Sequence, residues 1–217
     1  MKLQVNRVAH PVTVLGPGRR LAVWVQGCRI GCPGCGSIDT WDPAAGTTVD
    51  TETLAPELAE IITRDRLTGL TLTGGEPTEQ ADALADLVLR IRSIIGPQPD
   101  APMLDVLVFT GLSANAAERR AGALWAVADV AICGPYRANR PSTIPLVATS
   151  NQVVVTRTEL GATRFAHVDS AGASIQIRVA DGEITLIALP NPGDLPRMEE
   201  ALRARGITIE GRTWQTP

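Results

Sequence analysis

Three cysteines in one short loop constrain this chain more than any other feature. Cys28, Cys32 and Cys35 follow a Cys-x3-Cys-x2-Cys spacing, with Gly27, Gly31, Gly34 and Gly36 between and around them. Those glycines remove side-chain obstruction and let three thiolates converge on one metal centre. The loop follows directly on the apolar run 21–25, so it hangs from the end of a buried strand. In a reducing compartment such a cluster points to metal binding or catalysis rather than to a disulfide framework. A closed zinc site wants four ligands, and neither histidine, His10 or His167, stands in a paired spacing with the loop. A four-iron cluster, by contrast, can be held by three cysteines with one iron left open. A zinc knuckle borrowing a distant histidine, or three cysteines that are merely buried, are the alternatives the residues leave open. The fourth, Cys133, sits in an apolar strand run and reads as a small buried residue.

Length and composition set the frame around that loop. A chain of 217 residues supplies one generous domain, or a domain with an extension, and buries a core without staples. With 44% hydrophobic and 20% charged residues it reads as a soluble globular protein. No apolar run approaches the roughly 20 residues of a spanning helix; the longest candidate, 121–133, contains Asp129. Met1-Lys2-Leu3-Gln4 leads into an alternating segment with Asn6, Arg7 and His10 instead of a signal-peptide core, so the expected address is the cytoplasm. A net charge of −3 with both signs mixed gives no reason to expect a polyanion partner. Four Trp, two Phe and one Tyr are few platforms for stacked bases. Neither nucleic acid nor membrane is therefore an expected partner.

Strand-like and helix-like periods then alternate, which predicts βα units and a parallel sheet or part of a barrel. The expected order is strand 21–25, helix 53–64, strand 69–73, a helix capped by Thr78 and stopped by Gly96-Pro97, strand 104–110, helix 113–125 and strand 127–133. In such folds ligands gather at the C-terminal ends of the strands. Gly74-Gly75-Glu76-Pro77 closes one strand, Thr110-Gly111 another, and Asp129 is expected near the same rim. Gly16-Pro17-Gly18-Arg19-Arg20 lacks the Gly-Lys-Ser/Thr ending of a phosphate loop and reads as a turn or as part of a substrate entrance. From 151 the pattern becomes antiparallel β: strands 152–158, 174–179 and 183–189, with Asp181-Gly182 as a hairpin turn, then a Pro/Gly link 190–196 and a helix 198–205. The expected division is 1–150 as the core and 151–217 as a β-rich extension with a short helix.

These motifs, taken in order, resemble a known family. The cysteine loop is similar to the cluster motif of the radical S-adenosylmethionine superfamily. The run from Leu15-Gly16-Pro17-Gly18 through Gln26-Gly27-Cys28 and Cys32-Pro33-Gly34-Cys35 to Thr40-Trp41-Asp42 resembles the activating enzymes of anaerobic ribonucleotide reductases. So do Leu72-Thr73-Gly74-Gly75-Glu76-Pro77, Val108-Phe109-Thr110-Gly111, Asp129 to Tyr136, and Ser150-Asn151-Gln152. The chain departs from that family at Gly36, where an aromatic residue is usual, and at Cys133, where an acidic one is. The resemblance implies an α/β fold, a partial (βα) barrel of the radical SAM type with a mainly antiparallel C-terminal extension. It implies a [4Fe-4S] cluster on Cys28, Cys32 and Cys35, and S-adenosylmethionine bound by Gly74, Gly75, Glu76 and Pro77 with contacts from Thr110 and Asp129. No catalytic side chain beyond cluster and cofactor is implied. Reductive cleavage would yield methionine and a 5′-deoxyadenosyl radical, which takes hydrogen from the target. The implied target is a glycine of a partner glycyl radical enzyme, with a low-potential donor such as flavodoxin or ferredoxin. The same chemistry on a small molecule or a ribosomally made peptide is the alternative. Ser150-Asn151-Gln152 offers groups able to bind ribose or backbone.

Overall fold

The computed structural model describes residues 1–96, 103–167, 175–180, 183–189 and 193–208. Its centre is a seven-stranded sheet in the order β3-β1-β2-β4-β5-β6-β7. Four neighbouring strands are parallel: β2 (Arg20–Val25), β4 (Gly69–Gly74), β5 (Asp105–Thr110) and β6 (Val130–Cys133). Antiparallel strands flank them, β1 (Lys2–Val12) and β3 (Thr47–Asp50) on one side and β7 (Val153–Thr156) on the other. The alternating N-terminal segment is thus a strand, and the strand expected at 152–158 is the edge of the large sheet. A separate antiparallel pair, β8 (Ile175–Ala180) and β9 (Glu183–Ala188), forms the later hairpin. The expected Asp181-Gly182 turn lies outside the described residues, as do Pro97 and the start of the 190–196 link.

Side chains alternate across the parallel strands, as the twofold period of a strand requires. Leu21, Val23 and Val25, Leu70 and Leu72, and Val106 and Val108 face one side. There they meet α1 (Thr51–Arg64), α2 (Ala81–Ile95) and α4 (Gly122–Val127) through Leu58, Ile62, Leu84, Leu87, Val88, Ile91 and Leu124. The helix expected over 113–125 is broken at Ala121 into α3 (Ala114–Arg120) and α4. The break lets Trp125 fold back with Ala117 onto Ala131 and Cys133 of β6.

The opposite face carries Ala22 and Trp24, Thr71 and Thr73, and Leu107 and Phe109. Two later elements cover parts of it. Ile187 of β9 packs with Val12, Leu15, Ala22 and Trp24, and Gln176 of β8 donates to Pro11 O (2.7 Å) and accepts from Thr13 N (3.0 Å). Phe165, just after α5 (Glu159–Arg164), joins Leu107, Val130 and Ile132. A last helix, α6 (Asp194–Arg203), starts four residues earlier than its expected position. Among the described residues no helix is long and apolar enough to cross a membrane.

At the N-terminal edge of the sheet the chain is locked by buried charge. Arg20, fully buried, donates to Asp105 Oδ1 (2.7 Å), to Thr71 Oγ1 (2.7 Å) and to Leu70 O (2.9 Å), tying β2, β4 and β5 together. The Gly16–Arg20 segment is therefore a turn that feeds this buried arginine, and lies at the opposite edge from the cysteine loop.

Candidate cluster and cofactor site at the C-terminal rim

Because β2, β4, β5 and β6 are parallel, their C-terminal ends form one rim. The register sets Val25 beside Gly74 and Thr110 beside Cys133. The cysteine loop, Gly74-Gly75-Glu76, Thr110-Gly111 and Gly134-Pro135-Tyr136 therefore leave neighbouring strands side by side.

Gln26 fixes the root of the cysteine loop. It is buried, and its Nε2 donates to Asp39 O (3.0 Å) and Asp42 O (2.6 Å), while its own carbonyl accepts from Gln80 Nε2 (2.9 Å). A 3-10 turn over Ile38–Thr40 brings the chain back, so that Gly27 N donates to Thr40 O (2.8 Å) and Cys28 N to Trp41 O (3.1 Å). Both ends of the loop are thereby held while the cysteines between them stay half-buried.

Burial pushes the Cys28 thiol up, opposed by backbone N–H donors at Gly31 and Ile30. Cys32 is pushed up in the same way, opposed first by the backbone of Tyr136. Cys35 Sγ accepts from Ser37 N (3.4 Å). The structure puts the three thiols on one loop but does not gather them: among the described residues no three His, Cys, Asp or Glu side chains form a metal-holding group. The donor set itself fits an iron–sulfur cluster, with three free soft thiols beside backbone N–H groups and no imidazole among them.

Gly74-Gly75 crosses directly over the root of that loop. Gly75 N donates to Val25 O and Glu76 N to Gly27 O, both at 2.8 Å. A Cβ at position 75 would stand 2.2 Å from Gly27 O, and one at 74, where φ is +99°, would stand 2.7 Å from Trp24 Cα. Only glycine permits this approach.

Glu76 is 3% exposed and fully engaged. Its Oε1 accepts from Thr78 N (3.0 Å), Thr78 Oγ1 (2.6 Å) and Thr110 Oγ1 (2.7 Å), and its Oε2 from Gly111 N (2.9 Å). The carboxylate caps the 3-10 turn Pro77–Gln80 and holds the β4 and β5 loops together. Thr110, whose hydroxyl also accepts from Leu112 N (3.0 Å), belongs to this tie. Pro77 opens the turn and is buried.

Asp129 is not on this rim. It precedes β6 and so lies at the sheet's other edge, where Oδ2 accepts from Val106 N (2.8 Å) and Arg92 (2.7 Å) and Oδ1 from Thr158 Oγ1 (2.7 Å). Strand position placed it near a strand end but could not say which end. Sequence reasoning also missed a cavity of about 300 Å³ beside the loop, lined by Arg29, Ile30, Glu76, Thr78, Glu79, Leu112 and Arg120. Arg29 and Ile30 are two of the three residues inside the Cys-x3-Cys spacing, and that spacing was the signal that could have marked them.

Residues 14–155 match the family described as "4Fe-4S single cluster domain". The chain belongs to this 4Fe-4S family. The anaerobic ribonucleoside-triphosphate reductase-activating protein of Vibrio cholerae is 30% identical over 131 residues, 58% of this chain and 81% of that protein. The protein of that name from phage T4 is 30% identical over 131 residues, covering 59% and 78%, and that of Escherichia coli K12 is 32% identical over 107 residues, covering 47% and 65%. The resemblance to the activating enzymes of anaerobic ribonucleotide reductases, read first from the motifs, is borne out by these relatives. A solved structure of Escherichia coli QueE aligns with 51% of this 4Fe-4S family member and 53% of its own chain at 17% identity and a TM-score of 0.39, a likeness too low to decide the fold.

Proposed function

We propose that this protein activates an anaerobic ribonucleoside-triphosphate reductase by generating a radical on a glycine of that partner. The reading is carried by the reductase-activating protein of Vibrio cholerae, which is 30% identical over a match that covers 81% of its length. It is supported by the rim, where a three-cysteine loop lies against Gly74-Gly75. Cys28, Cys32 and Cys35 are the residues that would hold the cluster. Bound together, a [4Fe-4S] cluster and S-adenosylmethionine supply the electron and the 5′-deoxyadenosyl radical that such a reaction uses.

The rest falls to the chain. Backbone groups at Gly74 and Gly75 lie open to the ammonium of S-adenosylmethionine, because no side chain screens them. Glu76 does not reach outward; it orients that backbone by spending both oxygens on the β4 and β5 loops. Catalysis is assigned to 1–150, and 151–217 is an extension whose first strand completes the sheet edge and whose hairpin covers part of the face opposite the helices. A low-potential donor such as flavodoxin or ferredoxin, and a cytoplasmic setting, belong to the same proposal.

The test is anaerobic. Reconstituted protein with dithionite and S-adenosylmethionine should release 5′-deoxyadenosine, and Cys32→Ala should abolish it. Adding a competent reductase should give a glycyl-radical signal by electron paramagnetic resonance. Cleavage without that signal would sink the partner assignment, and full cleavage by Cys32→Ala would sink the ligand assignment.

A further inference from the structure

We infer that the outer face of the cysteine loop, flanked by Arg29, Arg120, Arg137 and Arg140, docks the acidic surface of a low-potential one-electron carrier protein. The inference rests on the cluster reading above and assigns the place where the electron enters.

The loop lies open to solvent. Gly31, Pro33, Gly34 and Gly36 are exposed, and a Cβ built at Gly31 or Gly36 would meet nothing within 4 Å. The three half-buried thiols alternate with these residues along the loop. An electron crosses protein only over short distances, so a carrier must seat itself close to the group it reduces. This bare stretch of backbone lets it come close.

Arginines reach that stretch from three chain segments. Arg29, between Cys28 and Cys32, has a side chain 93% exposed. Arg120, at the end of α3, lines the same cavity as Arg29. Arg137 follows Tyr136, whose backbone hydrogen-bonds the Cys32 thiol, and precedes Ala138, whose Cβ would lie 3.4 Å from a Cβ at Gly34. Arg140 closes a turn onto Arg137, its N donating to Arg137 O at 2.8 Å.

Little negative charge answers them. Arg120, Arg137 and Arg140 are exposed, and among the described residues their side chains have no hydrogen bond or ion pair. Arg29 meets Glu79 at 4.0 Å. The other acids near the loop are engaged elsewhere: Glu76 accepts four hydrogen bonds, Glu118 of α3 faces Arg157 (3.8 Å) and Asp39 faces Arg7 (2.6 Å). A chain of net charge −3 thus turns four guanidinium groups outward around one loop. Such a patch attracts a negative surface and steers its approach.

The chemistry selects the partner. Glycine and arginine dominate this face, and its larger apolar side chains, Ile30 and Tyr136, are partly buried. It suits a brief, charge-guided encounter more than a permanent interface. An electron carrier needs such an encounter, since it must arrive, give up one electron and leave. The carrier is oxidised by one electron and the cluster reduced by one, with no bond made or broken. A polypeptide substrate must instead reach the cofactor, which the reading above places over Gly74-Gly75.

The experiment compares anaerobically reconstituted wild type and Arg120→Glu/Arg137→Glu, with flavodoxin as the acidic carrier. Iron content is measured on both. Flavodoxin binding is read by titration calorimetry. Cluster reduction, by reduced flavodoxin or by dithionite, is read from the bleaching of visible absorbance. Expected in the variant is about tenfold weaker flavodoxin binding and about tenfold slower reduction by flavodoxin, with dithionite reduction and iron content unchanged. Unchanged flavodoxin binding, or an equal slowing with both reductants, overturns the inference. So does a loss of the reductase's glycyl-radical signal under dithionite, which assigns these arginines to the reductase. If the wild type with dithionite cleaves no S-adenosylmethionine, the functional reading falls, while the binding contrast still decides the docking surface. Should the variant not hold its iron, salt decides the matter on the unmodified protein. There reduction by flavodoxin should slow about tenfold between about 20 and about 300 mM salt, and a flat profile overturns the inference.

Discussion

A methyl group at position 75 has nowhere to go, because Gly27 O already occupies its place. Gly75→Ala must push the β4 loop away from the root of the cysteine loop. The expected outcome is a loss of S-adenosylmethionine affinity of at least tenfold, measured by dialysis, with a fall in melting temperature of several degrees. Cys133 makes a different kind of claim. It is 1% exposed, and burial, then the nearby Glu76 carboxylate, push its thiol up to about 11. At pH 8 the thiolate fraction is then about one in a thousand. Metal-free protein at that pH should show three fast thiols to Ellman's reagent and a fourth only in denaturant; four fast thiols would refute the burial. The sequence made Cys133 legible as packing, since a lone cysteine in an apolar strand run has few other uses. It made the three-cysteine loop and Gly74-Gly75 legible by spacing. It misread Asp129, because a carboxylate at a strand end serves a rim ligand or a backbone amide equally well until strand direction is known.

Elements are joined at the N-terminal edge of the sheet by Arg20 and Asp105, neither of which touches solvent. Burial lowers the Arg20 pKa, and the Asp105 carboxylate raises it in opposition. The carboxylate's second oxygen has no partner, so the pair carries a desolvation cost as well as a gain. Asp105→Ala leaves a buried guanidinium without its counter-charge, and should destabilise by about 3–5 kcal/mol in urea titration. The double variant Arg20→Met/Asp105→Leu should recover most of that loss; if it does not, the pair is not what makes the single change costly. The parallel strands β4 and β5 were legible because each is a short apolar run followed by a helical period. The break between α3 and α4 was not, since Ala121-Gly122 continues the helical pattern and only the packing of Trp125 under β6 interrupts it. Nor was the membership of β7 in the large sheet, which depends on a register with β6 that no local pattern encodes.

At the scale of the molecule, the two faces of one sheet are covered by different means, helices on one and, over parts of the other, the β8–β9 hairpin and Phe165. Ile187 is the hairpin's anchor, 6% exposed against Val12, Leu15, Ala22 and Trp24. Ile187→Asp should release the hairpin, read as faster cleavage between 168 and 192 in limited proteolysis. Iron content should stay unchanged, because the cysteine loop lies on the rim and not under the hairpin. The β8–β9 pair was legible as antiparallel β, but its place over the sheet was not, because sequence alone does not say which face a hairpin lies on. The frame and the loop are also separate in what they need. From Cys28 to Asp39 no residue is buried, and the core clusters draw nothing from that stretch. The sheet therefore has no use for metal in order to fold, and circular dichroism of the iron-free protein should show a cooperative melt. A cluster held by this loop could then be lost and replaced without the sheet being taken apart.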